Sequence, residues 1–426
     1  MNALRISPSA AEGTIAAPPS KSYTHRAVVL GRFAGHPYRI NHPLTAEDTR
    51  ATLTGVGKLG AATVRDAEAW TVAPGPSRDP SRSTTVDCRA SGTTLRLLTV
   101  VGASTARPVT YRGETGLARR PMEGLLAALR QHGVTVSHPP HTYLPLVICG
   151  PIRPGKFVVD GSASSQFVTA LLLVLPFLES DSEVHVTGSL VSQPYVAATV
   201  ALLRSQGIRL GGGPRRWSVP GNQGVLPREF TVPADASSAA YLWAAAAVTG
   251  GRVVVTGLRD DWPQADLRIL EALGEAGCQV RRSMTGISVE GRAVRGFDLD
   301  LTPAPDLYPL LATVAATIPA RSHIRGAAQV VFKESDRRRG TFDLLRRFGA
   351  RCKGTRAGLE VEGRADVRPL AAFSSRDHRL VMSAAVGALA AGGASLVGDA
   401  AAVRKSFPGF WESLRALGAS IGGRGR

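Results

Sequence analysis

Six times along these 426 residues, a small polar or charged cluster stands directly at the start of an apolar, helix-like run. The clusters open near Ser20, Ser91, Ser164, Ser237, Pro305 and Arg376, at steps of 71, 73, 73, 68 and 71 residues. A second marker keeps the same step: a Leu-rich segment ending in glycine before a short apolar stretch. Its glycines are Gly60, Gly133, Gly207, Gly277, Gly349 and Gly418, each 40 to 44 residues after its opener. Two unrelated markers with one period imply six structural repeats, and the step is too long for the common solenoids. Each repeat is therefore expected to be a small α/β assembly with more than one helix.

Within a repeat, SKSYTHRAVVLGRFAG and SSQFVTALLLVLP read as helices with polar caps, and Pro121 to Gly133 as a helix that stops at glycine and feeds a strand over Val134 to Val136. Arg252 to Val255 and Ser395 to Val397 read as further strands. A chain this long exceeds one core, and two lobes of three repeats each is the economical arrangement. The N-terminus has no signal-like apolar core, and runs such as Thr169 to Leu178 are too short to span a bilayer, so a cytoplasmic protein is expected. Cys88, Cys149, Cys278 and Cys352 are scattered, which suggests neither a disulfide framework nor a metal site. There is no Walker A loop, and GGGPRR at Gly211 reads as a turn.

A formal net charge of +18 implies anionic partners. Nucleic acid is one reading, but the basic residues are spread along the chain without a nucleic-acid motif. Of 51 basic residues only six are lysine: Lys21, Lys58, Lys156, Lys333, Lys353 and Lys405. Where arginine is otherwise favoured, lysine is kept chiefly where a compact three-donor ammonium or a titratable amine is needed. Three of the six lie in dense polar clusters.

Those clusters stand at helix starts, where unpaired N–H groups and the positive dipole end attract phosphate and carboxylate. In the first, Lys21, Ser22 and Arg26 join Ser20, which on its own would be an N-cap. Gly92 in SGTTLRLL lets backbone approach a ligand, and Arg120 precedes Pro121, a residue suited to a first helical turn. GSASSQF offers Ser164, Ser165 and Gln166 as neutral donors. DASSAAYLW, which runs on into alanine, reads as structural. Asp306 in PAPDLYPLL is either a cap or an acid working with Lys333 and Glu334 of KESDR, where carboxylates could move protons. Asp377 and His378 read as capping and positioning groups beside Arg379, and RKSFPGFW supplies Lys405. Lys21, Arg120, Arg337, Arg379 and Lys405 form a cationic set suited to a small, dense phosphate-carboxylate, with an interlobe cleft that closes on its ligands.

The strings PPSKSYTHRA, SGTTLR, RRP, DGSASSQF, VSQPY, DASSA, KESDR, DHR and KSFP, in this order and spacing, resemble the 5-enolpyruvylshikimate-3-phosphate synthase family nearly end to end. SKSYTHRA and KESDR look most like archaeal members. The resemblance implies an α/β fold of two lobes, each of three βαβαββ units, with crossovers near residues 14 and 231. The lobes would then span 15–230 and 1–14 plus 231–426. It implies transfer of the enolpyruvyl group of phosphoenolpyruvate to the 5-hydroxyl of shikimate 3-phosphate through a tetrahedral intermediate, in aromatic amino acid biosynthesis. It also implies a monomer with no cofactor, metal, nucleic acid or membrane partner. Carried over, shikimate 3-phosphate would touch Lys21, Ser22, Arg26, Ser164, Ser165, Gln166, Ser192, Asp306 and Lys333. Phosphoenolpyruvate would touch Lys21, Gly92, Arg120, Gln166, Arg337, Arg379 and Lys405. Asp306, Glu334 and Lys21 would move protons.

The chain departs from that pattern at Ala90 and Gln329, where the family usually has asparagine, and at Val331, where it often has arginine. Two rivals stand beside this reading. A UDP-N-acetylglucosamine enolpyruvyltransferase shares the six-unit fold but normally carries a reactive cysteine in the loop that here reads GETGLARRP. An RNA 3'-phosphate cyclase-like protein would explain the charge, yet no catalytic histidine motif accompanies it.

Overall fold

The six marker glycines all adopt positive φ, between 82° and 106°. Each ends the second helix of a repeat, where a left-handed residue lets the chain turn away without a Cβ clash. The computed structural model describes residues 3–75, 83–355 and 358–423. The α-helices run in pairs, one pair per repeat: α1 (Lys21–Gly31) and α2 (Glu47–Lys58), α3 (Gly92–Ala103) and α4 (Glu123–Gln131), α5 (Gln166–Leu172) and α6 (Gln193–Ser205), α7 (Ala236–Thr249) and α8 (Ile269–Glu275), α9 (Tyr308–Ala316) and α10 (Arg337–Phe348), α11 (His378–Leu389) and α12 (Phe410–Ala416).

One sheet plan recurs. In the second repeat, Thr84–Asp87 lies parallel to Val109–Arg112, which pairs antiparallel with Leu146–Cys149, which pairs antiparallel with Thr135–Ser137. The chain order across the sheet is thus first, second, fourth, third. The third and fifth repeats repeat it with their own strands. In the first repeat the leading place is filled from far along the chain, by Glu229–Thr231 parallel to Tyr38–Asn41. In the fourth it is filled from the N-terminus, by Gly13–Ala16 parallel to Arg252–Thr256. In the sixth, Leu4–Ile6 lies between Ser395–Val397 and Ile421–Gly423, antiparallel to both. A parallel bridge from Phe373 to Val397 marks the leading place there.

These long-range strands divide the chain into two compact units. One holds Met1–Pro18, Ala234–Asp260 and Gln264–Arg426, the other Pro19–Pro233 and Asp261–Pro263. The crossovers expected near 14 and 231 compare with divisions after Pro18 and Pro233. The Asp261–Pro263 segment goes with the second unit because Trp262 packs edge-on against Tyr23 and Phe230, at 5.2 and 5.3 Å, and Tyr23 donates to the Pro263 carbonyl.

In each unit the leading helices of the repeats pack on one another. α9 and α11 are buried along their whole length, and α3 almost so. An all-round apolar helix of this kind belongs in a core. Leu95, Leu97, Leu98, Val100 and Val101 of α3 each gain about 1.5–3 kcal/mol from burial. The second helices bury one stripe only: α4 buries Leu125, Leu126, Ala128 and Leu129 and leaves its other face to solvent.

Local boundaries differ from the sequence reading in physically simple ways. α5 ends at Leu172 and a 3₁₀ turn over Leu175–Phe177 follows, because Pro176 cannot donate into a continuing helix. α4 starts at Glu123, so Pro121 lies ahead of the first turn, and its carbonyl accepts from Arg96 at 2.9 Å. The strand expected over Val134 to Val136 runs Thr135–Ser137. The GGGPRR turn is the tip of a hairpin whose first arm is Gly211–Gly213. Among the described residues no helix is long and apolar enough to cross a membrane.

Candidate functional site

In the Pro19–Pro233 unit, side chains at the first turns of α1, α2, α3 and α5 reach one another. Lys21 opens α1 and donates from Nζ to Asp48 Oδ2 in the first turn of α2, at 3.0 Å. The Asp48 carbonyl accepts from Thr94 Oγ1 in the first turn of α3. Gln166 opens α5 and donates from Nε2 to Thr93 Oγ1 at 2.9 Å, while its Oε1 accepts from Arg96 at 2.7 Å. Arg96 therefore fixes which end of the Gln166 amide faces which way. Its guanidinium also lies 5.5 Å from the Phe167 ring centroid, a cation–π contact.

Gly92 and Arg120 meet directly. A Cβ placed on Gly92 would lie 2.5 Å from the Arg120 guanidinium carbon. The bare face expected to admit a ligand is thus the seat of Arg120, itself only 7% exposed. Arg26 is buried and uses all three nitrogens inside the unit: Nε to Thr199 Oγ1, and the terminal nitrogens to the Ser22 and Tyr195 carbonyls, each at 2.8 Å. Burial pulls its guanidinium down to about 10. Ser192 sits at φ 54° just before α6, with its carbonyl accepting from Tyr195 N. Ser164 Oγ accepts from Gln166 N, and Ser165 is buried at the start of α5. Ser20 makes no side-chain cap, contrary to the simplest reading of its position.

Behind this row runs a buried hydroxyl chain. His25 Nδ1 lies 2.6 Å from Thr52 Oγ1, which lies 2.7 Å from Thr94 Oγ1, which bonds Ser91 Oγ at 2.8 Å. Burial pushes His25 down to about 3, with Asp48 pulling weakly the other way. The ring is neutral and structural. Ser91 caps α3 by accepting from Thr94 N at 3.1 Å.

The other unit gathers the remaining predicted residues into one ion cluster. Asp306, in the 3₁₀ turn before α9, accepts from Lys333 at 3.2 Å and Arg337 at 2.9 Å on Oδ1, and from Arg379 at 2.8 Å on Oδ2. It caps nothing. Burial alone would raise its carboxyl, but Arg379, Lys333 and Arg337 outweigh burial and hold it well below the usual range. Arg337, 1% exposed, also donates to Glu334 at 2.5 Å and from Nε to Asp377 at 2.8 Å. Glu334 Oε1 faces Lys405 Nζ at 4.0 Å. Asp377 caps α11 through Arg379 N at 3.0 Å, the positioning role its place suggested. Among the described residues no group of histidine, cysteine or carboxylate side chains is arranged to hold a metal.

Sequence reasoning missed the residues that aim the site. Arg96 had a signal, a lone charge four residues into an apolar helix after Gly92. Asp48 in TAEDTRATL and Asp266 in PQADLRIL had none, since nothing nearby distinguishes them from helix-start carboxylates. The DASSA opener, read as structural, does cap α7 through Asp235, which accepts from Ser238 N at 2.8 Å. Its Ser237 hydroxyl, however, bonds the buried Asp266.

Chemically, the two sets offer cations, amide and hydroxyl donors and carboxylates suited to phosphorylated, carboxylated ligands. Known proteins agree. The family model for EPSP synthase (3-phosphoshikimate 1-carboxyvinyltransferase) matches residues 6–414. A 3-phosphoshikimate 1-carboxyvinyltransferase of Methanoculleus marisnigri is 39% identical over 406 residues, covering 94% of this chain and 96% of that protein. One from Thermococcus kodakarensis is 38% identical over 407 residues, covering 95% and 97%. The EPSP synthase structure from Acinetobacter baumannii superposes over all of both chains with a TM-score of 0.82 at 24% identity, a likeness of fold. On this evidence of sequence, and with the fold in agreement, the chain belongs to the EPSP synthase family, the 3-phosphoshikimate 1-carboxyvinyltransferases.

Proposed function

We propose that this protein moves the enolpyruvyl group of phosphoenolpyruvate onto the 5-hydroxyl of shikimate 3-phosphate, releasing phosphate, with the residues above in the following roles. Lys333, Ser22, Ser164, Ser165 and Ser192 hold shikimate 3-phosphate, and Gln166, oriented by Arg96, serves both ligands. Arg26 acts from behind, tying the first turn of α1 to α6. Arg120, Arg337, Arg379 and Lys405 bind the phosphate and carboxylate of phosphoenolpyruvate, with Lys21 reaching both substrates. The observation that carries this assignment is the single carboxylate of Asp306 held by Lys333, Arg337 and Arg379 together.

Without ligand, those three cations make Asp306 a weak base. A dianionic donor competes for Arg337 and Arg379, and each cation drawn away strengthens Asp306 as acceptor of the 5-hydroxyl proton. The oxygen then adds to the phosphate-bearing enol carbon of phosphoenolpyruvate, and a proton reaches the methylene carbon from Glu334 or Lys21. The tetrahedral adduct collapses when that proton is removed again and phosphate leaves into the same cationic set, whose fixed charges need no reorganisation. We assign the protein to aromatic amino acid biosynthesis in the cytoplasm, acting as a monomer.

The test is phosphate release by the purified protein supplied with phosphoenolpyruvate and either shikimate 3-phosphate or UDP-N-acetylglucosamine. Release with the shikimate compound alone is expected. Release with the sugar nucleotide alone would overturn the acceptor.

A further inference from the structure

Arg96 stands one turn into α3, 4% exposed, in a helix that carries no other charge. Its guanidinium reaches out of α3 in two directions. Nη1 donates to Gln166 Oε1 at the start of α5, at 2.7 Å, and Nη2 donates to the Pro121 carbonyl, at 2.9 Å. Pro121 directly follows Arg120. The turn that carries Arg120 is thereby held on both sides, at Pro121 by Arg96 and at Ala118, whose carbonyl accepts from Tyr143 N at 2.7 Å. Between these two holds, the Arg120 guanidinium rests on the bare face of Gly92. Gly92 and Arg96 lie four residues apart and share one face of the helix.

One guanidinium thus has a hold on two groups that the functional reading assigns to phosphoenolpyruvate. The orientation of Gln166 is half of this. With Oε1 on Arg96 and Nε2 on Thr93 Oγ1 at 2.9 Å, the amide keeps one N–H for a ligand and turns its oxygen away. The other half is the placement of Arg120 through Pro121. Because the guanidinium is planar and its terminal nitrogens are fixed relative to each other, Gln166 Oε1 and the Pro121 carbonyl are held at a set spacing. The Phe167 ring, 5.5 Å from the guanidinium carbon, adds a cation–π contact, so α5 meets this fork through two successive residues.

We propose that Arg96 is a positioning residue that sets Gln166 and Arg120 relative to each other, so that one turn of α3 templates the phosphoenolpyruvate site. Arg96 acts through these two side chains and not on the substrate. Its contribution is preorganisation: groups already oriented do not lose affinity to being ordered on binding. The inference rests on the functional reading above and deepens it. A lysine at this position would keep the charge but could not hold both oxygens in one fixed geometry.

The experiment places Arg96→Lys in the wild type, in Gln166→Ala and in Arg120→Ala, and measures the KM for each substrate with the other saturating. In the wild-type background the KM for phosphoenolpyruvate is expected to rise roughly tenfold, the size of one lost charge-assisted bond. The KM for shikimate 3-phosphate should rise less, because only Gln166 of the two positioned groups is assigned to it. In Gln166→Ala, and again in Arg120→Ala, Arg96→Lys should have a clearly smaller effect, since one of its two targets is gone. An unchanged KM for phosphoenolpyruvate, an equal rise for both substrates, or a rise that either background leaves intact overturns the proposal. An Arg96 that merely supported the fold would give the last of these, its effect multiplying the other losses. Should Arg96→Lys not fold, Arg96→Gln, which keeps a single neutral donor group, is read in the same backgrounds. A wild type with no turnover on these substrates overturns the functional reading and this inference with it, whereas turnover with multiplying effects overturns this inference only.

Discussion

Arg337 donates through Nε to Asp377 at 2.8 Å, with the two side chains only 1% and 0% exposed. Burial by itself would weaken the arginine's charge, but Asp377, Glu334 and Asp306 outweigh it and hold the guanidinium firmly protonated. Removing Asp377 loses a buried charge-assisted bond worth roughly 1.5–3 kcal/mol, while Glu334 and Asp306 still hold the guanidinium. Asp377→Ala also removes the cap of α11. Bond and cap together are expected to lower the unfolding free energy by about 2–5 kcal/mol, measured by urea denaturation. A loss under about 1 kcal/mol would mean water reaches Arg337 freely.

Gly92→Ala places a methyl 2.5 Å from the Arg120 guanidinium carbon. The obstacle is the end of a flexible side chain, so the helix survives and the arginine moves. The expected result is a raised KM for phosphoenolpyruvate and weaker binding of glyphosate-like mimics, with the melting temperature within a few degrees of wild type. An unchanged KM would separate Gly92 and Arg120 from the donor site.

Asp306→Ala removes the proposed base and also frees Lys333, Arg337 and Arg379 from a neutralising carboxylate. Turnover should fall by about 10²–10⁴, the usual contribution of a general base. Affinity for shikimate 3-phosphate should change far less, because the lost interaction serves mainly the transition state. Initial-rate kinetics with both substrates varied decides this; near-normal kcat would remove Asp306 as the base.

His25 predicts a pH dependence of stability. Its folded value is depressed to about 3 from an ordinary 6.5, so the unfolded chain binds a proton that the native state refuses. Native stability therefore carries no penalty above about pH 6.5 and is lost progressively as pH falls toward 3. Relative to His25→Asn, whose amide can still meet Thr52 but cannot ionise, the wild type should lose roughly 2–3 kcal/mol between pH 7 and pH 4.5. Equal losses in the two proteins would show that His25 is protonated in the native state.

What the sequence disclosed is uneven for a physical reason. The repeat period and the helix starts were legible because polar caps and left-handed glycines are local requirements of the chain, visible at Ser91, Gly133 or Gly349. Asp306, Lys333, Glu334, Arg337, Arg379 and Lys405 were nameable through their motifs, although only the fold shows that one carboxylate takes three of those cations. The tertiary partners were not legible. Asp48 beneath Lys21, Arg96 against Gln166, and Ser237 against Asp266 are pairs 27, 70 and 29 residues apart. No periodicity links such partners, so DASSA read as structural and nothing more. Strand membership was half legible: the first strand was expected in the C-terminal lobe, but its place as the inner partner of Ile421–Gly423 follows from register alone.

That register sets a timetable for synthesis. Leu4–Ile6 leaves the ribosome long before both of its neighbours, Ser395–Val397 and Ile421–Gly423. The repeats of Pro19–Pro233 can close once Glu229–Thr231 has emerged, since that strand completes their first sheet. From then until Ser395–Val397 emerges, Leu4–Ile6 has no strand to pair with, and Ile421–Gly423 completes its hydrogen bonds. A ribosome that stalls anywhere in that interval leaves both edges of Leu4–Ile6 open to proteases and chaperones.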